Sequence, residues 1–367
     1  MSALHTFVIP AFIAAILTGH APAHAQDPGL QSPEVRPAVQ PYEITTEGAL
    51  RRELARGVYQ AVYSNTKKSL YIASAELAPD VNGGLIYRLD PSTLATTGLI
   101  HTDEKNFGLA TDPDGDTLFV THSLAGAASK IDLASGKVVG RIEFEERSAD
   151  GSAYGPREIL RDAATDTVYV GGVGDPGRIW VIDARDWVVR TSIPDAGKWV
   201  TGLLSDPRRN RLYAANGDGE VLVIDTRSHT IQQRWKPAGQ EPALLLNLAL
   251  DESGDRLFVT DHSKLKTVLA VDTRTGKLIN RLPVGESLDI LYQPGRNALY
   301  LSHRDRGMVS IVDATSFQVR KQYRLPPNPN SLLLSPEGDA LFVTIKTPFT
   351  PDHFASGFGS IARIDLP

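Results

Sequence analysis

Three histidines share one local setting: His122 in Thr121-His122-Ser123, His262 in Asp261-His262-Ser263 and His303 in Ser302-His303-Arg304. Three imidazoles gathered at one channel mouth would suit Zn²⁺, Cu²⁺ or a haem. A zinc site needs ligand nitrogens about 2.0–2.1 Å from one ion. These histidines come from repeat units that are not all adjacent, so no metal and no cofactor is assigned. Surface histidines that accept loop hydrogen bonds account for the same residues. A second set mixes both charge signs with amides and aromatics: Asn106 and Phe107, Arg157 and Glu158, Lys198 and Trp199, Asn247, Glu286, Asn328 with Asn330, and His303 with Arg304. Such a set suits a polar or anionic small ligand. It also suits a plain solvated channel lined by capped strand ends.

Other chemistries lack their residues. The 367-residue chain has no Cys, which excludes disulfides, thiolate nucleophiles, Cys-ligated zinc and iron–sulfur clusters. No G-x-S-x-G elbow and no phosphate-binding G-x-x-x-x-G-K-[ST] loop occurs. Asp112-Pro113-Asp114-Gly115-Asp116 resembles the start of a calcium loop, but the twelfth position is Ser123 rather than an acid. Other units carry DPRRN, QPGRN and SPEGD in the same slot, so it reads as a hairpin turn. The net charge of −5 gives no general signal for polyanion binding. The densest basic cluster, Arg208-Arg209-Asn210-Arg211, falls in such a turn, and Trp235 with Lys236 is a thin basis for nucleic-acid stacking.

What must position the candidates is a repeat. An aliphatic–aromatic pair recurs seven times, at Tyr71, Phe119, Tyr169, Tyr213, Phe258, Tyr300 and Phe342, with spacings of 48, 50, 44, 45, 42 and 42 residues. An aliphatic–Asp pair recurs in phase at Asp90, Asp132, Asp183, Asp225, Asp272, Asp313 and Asp365, where a carboxylate can accept backbone N–H groups of the following turn. Four short strands per unit of this length predict an all-β, seven-bladed β-propeller. The last unit ends after three strands, so Ala49–Arg56 is expected to supply the outer strand of the last blade and close the ring. Three segments exceed the repeat: 75–84, 145–155 and 346–359. All map to the face where the d–a and b–c loops meet, and insertions gathered on one face suggest a binding surface.

Ahead of the propeller, residues 1–25 carry no Lys, Arg, Asp or Glu, and Phe7–Gly19 is apolar. That run is shorter than a membrane-spanning helix needs. With Ala23 and Ala25 at the −3 and −1 positions it reads as a secretory signal peptide. Residues 26–48, with Pro28, Pro33, Pro37 and Pro41, read as a Pro-rich linker, and 49–367 as the propeller.

The segments LFVTH, LYAAN and LFVTD resemble the YVTN type of propeller repeat. More narrowly, about Leu50–Lys346 is similar to the YncE-type periplasmic seven-bladed propellers. The segments that carry this include Tyr87-Arg88-Leu89-Asp90-Pro91, Pro156-Arg157-Glu158 and Asn328-Pro329-Asn330-Ser331-Leu332. The resemblance implies export to the periplasm and a non-enzymatic role; some such proteins are associated with iron-responsive expression and DNA binding. The expectation is a monomeric, non-enzymatic periplasmic binding protein, without a transmembrane segment, presenting its loop-rich face to an envelope protein or small ligand. Two rivals remain open. One is a lactonase-like hydrolase using Arg157, Glu158, His303 and Arg304. The other is single-stranded DNA binding.

Overall fold

A computed structural model describes Glu43–Thr45 and residues 48–366. The segments read as signal peptide and most of the linker lie outside the described residues. Seven antiparallel sheets form the seven blades. In chain order, with strands a to d in each, blade one is Val58–Ser64, Ser69–Ser74, Gly84–Leu89 and Thr96–Thr102. Blade two is Leu109–Thr111, Thr117–His122, Ala127–Asp132 and Lys137–Glu143. Blade three is Gly155–Asp162, Thr167–Val173, Arg178–Asp183 and Val189–Ile193; blade four is Val200–Asp206, Arg211–Asn216, Val221–Asp225 and Thr230–Trp235. Blade five is Leu245–Asp251, Arg256–Asp261, Thr267–Asp272 and Leu278–Leu282; blade six is Ile290–Gln293, Ala298–His303, Met308–Asp313 and Val319–Arg324. Blade seven is Pro329–Leu334, Ala340–Ile345 and Ser360–Asp365, completed by Ala49–Glu53.

The recurring aromatic explains why blades pack. Each sits on strand b and clusters with strand-b and strand-c aliphatics of the next blade. Tyr71 joins Leu118 and Ile131, Phe119 joins Val168 and Ile182, and Tyr169 joins Leu212 and Ile224. Tyr213 joins Leu257 and Val271, Phe258 joins Leu299 and Val312, and Tyr300 joins Leu341 and Ile364. Phe342 joins Leu70, Ile72 and Leu89, so the same contact links blade seven to blade one. The core is thus one apolar layer repeated at each of seven blade boundaries. Strands a to c are mostly buried, whereas strand d is largely exposed, as in Thr230–Trp235.

The recurring Asp closes the c–d turn. Asp90, Asp132, Asp183, Asp225, Asp272 and Asp313 each accept N–H bonds from residues two and three further on. These bonds favour the carboxylate. With Arg190 they hold Asp183 at about 2.

Ala49–Glu53 pairs antiparallel with Ser360–Asp365, as expected from the missing fourth strand. The end of the Pro-rich segment adds a feature the sequence reading did not include: Glu43–Thr45 pairs parallel with Lys321, Gln322 and Tyr323 as a fifth strand on blade six. It lies just past Pro41 and at a sheet edge, where the proline restriction does not apply.

Closure predicts the effect of truncation. Removing residues through Glu53 should lower the urea midpoint and produce concentration-dependent self-association through the bared edge at 360–365. An unchanged midpoint and a monomer at all concentrations would contradict this closure.

Candidate functional site

Strand a carries a register shift near its start in blades one, three, four, five and seven: between Val58 and Ala61, Pro156 and Ile159, Val200 and Gly202, Leu245 and Leu248, and Pro329 and Leu332. In four of these, two consecutive residues fall outside the regular alternation, which is how a bulge re-aims side chains. They are Tyr59-Gln60, Arg157-Glu158, Leu246-Asn247 and Asn330-Ser331. These pairs occupy fixed positions, twelve and eleven residues before the strand-b aromatic. The equivalent pairs are Phe107-Gly108, Thr201-Gly202 and Leu288-Asp289.

Thirteen of these fourteen residues line a cavity of about 880 Å³. The exception is Gly202, whose Cβ position would lie 2.2 Å from the Leu246 carbonyl oxygen, so the close approach of the next blade requires glycine. All three long loops reach the same cavity, through Leu77, through Glu145, Arg147 and Tyr154, and through Phe349 and His353.

Hydroxyls satisfy backbone groups around the starts of strand a, and they do so across blades. Thr121 accepts from Gly108 N at 2.8 Å and donates to Arg157 O at 3.0 Å. Thr260 accepts from Asn247 N at 2.9 Å and donates to Leu288 O at 3.0 Å. Ser302 accepts from Asp289 N at 3.0 Å and donates to Asn330 O at 2.9 Å. The pair residues add their own links. Gln60 accepts from Leu109 N at 3.0 Å, Asn247 donates to Leu288 O at 2.8 Å, and Asp289 accepts from Leu332 N at 2.7 Å.

Arg157 and Arg304 line this floor, and the buried Lys346 lies against the Tyr59 ring. The Arg157 guanidinium carbon stands 4.8 Å from the Tyr59 ring centre and 5.9 Å from that of Phe107. Lys346 directs Nζ at the same Tyr59 ring, 3.6 Å from its centre. Lys346 is 4% exposed, and its buried Nζ has no hydrogen-bond partner. Burial, then the charges of Arg157 and Arg304, pulls its pKa well below the usual lysine range. Arg304 is 3% exposed and donates through Nη2 to Asn330 Oδ1 at 2.8 Å. Burial, reinforced by Arg157, lowers it to about 10. Two acids face them. Burial, with the charge of Asp289, raises Glu158 to about 8 against the pull of Arg157. Burial raises Asp289 to about 6 against two backbone N–H bonds.

Of the residues singled out from the sequence, Phe107, Arg157, Glu158, Trp199, Asn247, Arg304 and Asn330 line the cavity together. Asn106, Lys198, Glu286 and Asn328 do not. Asn106 is buried and bonds Thr102. Lys198 reaches Asp175 at 3.9 Å and stacks on Trp199. Glu286 accepts from the Arg304 and Asp305 backbone N–H groups, and Asn328 exchanges backbone bonds with Arg304 and Lys346.

The histidines are separate. His122 bonds the Lys105 carbonyl and Ser129, and His303 the Glu286 carbonyl and Ser310, each within its own blade neighbourhood. Burial lowers both to about 4, so they are neutral. His262 sits half-buried at the end of blade five strand b. Among the described residues no cluster of His, Asp and Glu is placed to hold a metal. His303, required by the hydrolase reading beside Glu158, is turned into blade six instead of lining the cavity. On the opposite face Arg208 pairs with Glu252 and Arg209 with Asp206 and Asp255, and Trp235 is 6% exposed.

Sequence reasoning missed Tyr59, Gln60, Thr201, Leu246, Leu288, Asp289, Ser331 and Lys346. The signal for all but Lys346 was the constant offset from the strand-b aromatic.

The acid at the floor makes a pH prediction. Glu158 titrates near 8 in the fold against about 4.3 unfolded. The folded chain therefore binds more protons in that window, so stability falls as pH rises through it and levels off above. Glu158→Gln should remove this slope and raise stability at pH 8.5 by about 1–3 kcal/mol, allowing for water in the cavity. Urea midpoints between pH 5 and 9 that change in parallel for both proteins would contradict the assignment.

No family model matches the chain. It is 38% identical to the YncE protein of Salmonella typhi, over 88% of this chain and 92% of that one. It is likewise 38% identical to YncE of Escherichia coli K12, over 87% and 91%. The antigen Lp49 of Leptospira interrogans is 25% identical over 47% of this chain and 39% of its own. Among solved structures, one from Kuenenia stuttgartiensis hydrazine synthase superposes with a TM-score of 0.64 at 19% identity, covering 78% of this chain and 92% of the other. One from the mitotic checkpoint complex gives 0.66 at 16% identity, covering 94% and 99%. At those identities the likeness is one of fold. The identity to the YncE proteins, sustained over nearly the whole of both chains and on a seven-bladed ring, places this chain in the YncE family.

Proposed function

We propose that this protein is a non-enzymatic binding protein of the periplasm that captures a small polar ligand in the cavity on its loop-rich face. One observation carries the reading: the bulged starts of strand a and all three long loops meet at a single cavity of about 880 Å³. That volume is within the ordinary range for small-molecule sites. The walls combine aromatic surface from Tyr59, Phe107 and Trp199 with polar groups from Arg157, Glu158, Asn247 and Asn330. Arg157 is the natural reader of the ligand, because its guanidinium rests on aromatic faces and, among the described residues, has no carboxylate within ion-pair distance. The hydrolase reading finds less support, since His303, the base it calls on, is committed to Glu286 and Ser310. Phosphate-backbone binding finds less support, since the basic cluster at Arg208 and Arg209 is ion-paired on the other face. Export rests on the apolar, uncharged segment at residues 1–25.

Binding is tested with the protein isolated from its native envelope extract. Native mass spectrometry should show a bound small molecule, and Arg157→Ala should weaken it by about 10- to 100-fold without changing the melting temperature. Arg208→Ala on the opposite face should leave it unchanged. Equal binding by all three proteins would remove the cavity from consideration. For location, fractionation should find the mature chain in the periplasm beginning at Gln26; an N-terminus at Met1 in the cytoplasm would contradict export.

A further inference from the structure

Blade two meets the cavity with all four of its strands. Gly108 precedes strand a, Ser123 follows strand b, Gly126 precedes strand c and Glu143 ends strand d, and all four residues line the same space. Blades four, five and six reach it only around strands a and b. Neighbouring strands lie about 4.8 Å apart, so from the channel outward across blade two the cavity runs for about 14 Å. The 145–155 loop walls its far side and is tied down. Arg147 and Ala153 bridge, Ser148 Oγ donates to Asp175 O at 2.8 Å, and the Tyr154 hydroxyl donates to Pro176 O at 2.9 Å. Beneath it the Phe144 ring stacks on Trp180 with centres 3.8 Å apart, and Tyr154 meets the same indole edge-on at 5.7 Å.

The two ends of this trough carry different charges. Glu143 and Glu145 stand at the outer end, with Arg147 in the wall beside them, and Glu104 joins the lining after strand d of blade one. Among the described residues none of these three carboxylates lies within ion-pair distance of a basic side chain. Glu146 differs: it is absent from the lining and accepts from Trp180 Nε1 at 3.2 Å. The inner end holds Arg157 on the Tyr59 and Phe107 rings, Arg304 bonded to Asn330, and the acids Glu158 and Asp289. Burial raises Glu158 to about 8, so at pH 7 it is mostly an uncharged donor. Between the ends lie Leu124, Ala125, Phe144 and Tyr154. Leu124 is 52% exposed, which leaves apolar surface open along the trough.

We propose that this trough takes a short free-ended peptide of about four residues, laid outward across blade two with its α-carboxylate on Arg157 and its α-ammonium at Glu143 and Glu145. This rests on the binding reading above and names the ligand class and its direction. An extended chain advances about 3.3–3.6 Å per residue, so about four residues match the run from strand a to strand d. A ligand of a single charge sign is matched at one end and meets like charge at the other, whereas a zwitterion of this length is matched at both. Apolar side chains of the peptide rest on Leu124 and on the Phe144 and Tyr154 rings, which Trp180 holds in place. A dipeptide is too short to reach both ends.

The test is isothermal titration of the full mature chain with the tetrapeptide Ala-Leu-Leu-Ala in three forms: both ends free, N-acetylated, and C-amidated. The dipeptide Leu-Leu is the length control. The free-ended tetrapeptide should bind, and each capped form and the dipeptide should bind about tenfold or more weakly. Two variants assign the ends. Glu143→Gln with Glu145→Gln, both at exposed positions, should keep the melting temperature, remove the penalty for acetylation and keep the penalty for amidation. Arg157→Ala should do the reverse. Equal binding by free and capped peptides, a dipeptide as tight as the tetrapeptide, or an acetylation penalty unchanged in the double variant would overturn the proposal. So would an amidation penalty unchanged in Arg157→Ala. Failure of every peptide to bind a protein that still holds its native ligand through Arg157 would overturn it too, while leaving the broader binding reading intact.

Discussion

The bulge at the start of strand a is the constraint on which the remaining architecture turns. A regular strand would send alternate side chains into the blade and leave one residue per blade at the channel. A bulge places two consecutive side chains there and frees backbone groups that burial does not tolerate unpaired. Backbone groups around the starts of strand a are answered by Thr121, Thr260 and Ser302, each accepting from its own blade and donating to the next. The same feature that shapes the site therefore also stitches adjacent blades at the channel, while the strand-b aromatics stitch them further out.

The electrostatics follow from that geometry. Side chains delivered from separate blades to one axis meet groups chosen independently of their own strand. Arg157, Arg304 and Lys346 arrive from blades three, six and seven, and Glu158 and Asp289 from blades three and six. Burial there moves acids up and bases down together. A fold optimised for stability alone would replace such groups by apolar ones, as the interior of each blade does. Their retention at the floor of a cavity is the mark of a site.

Much of the fold was legible because each blade repeats the same solution. The aromatic and Asp markers, the absent fourth strand and the common face of the long loops all depend on short-range patterns. The site was legible only in part. Arg157, Glu158 and Asn247 were found because strand a was placed correctly in blades three and five. Asn106, Lys198, Glu286 and Asn328 were chosen one to four residues too early, since a bulge leaves no composition of its own. A fixed offset of eleven and twelve residues before the aromatic would have located Tyr59, Gln60 and Asp289 as well. Lys346 escaped for another reason: a lysine at the start of a long loop reads as solvent-facing, and only the fold shows blade one lying over it. The histidines mislead in the opposite way, because His122 and His303 carry metal-ligand chemistry by type yet close hydrogen bonds to Ser129 and Ser310 inside their blades.

The account stands on the claim that the loop-rich face is a ligand site read by buried basic groups. Its most direct test is a crystal structure of the protein taken from native extract. The account predicts electron density in the cavity contacting Arg157. Density for a ligand seated on the opposite face, with the cavity around Arg157 unfilled, would contradict it.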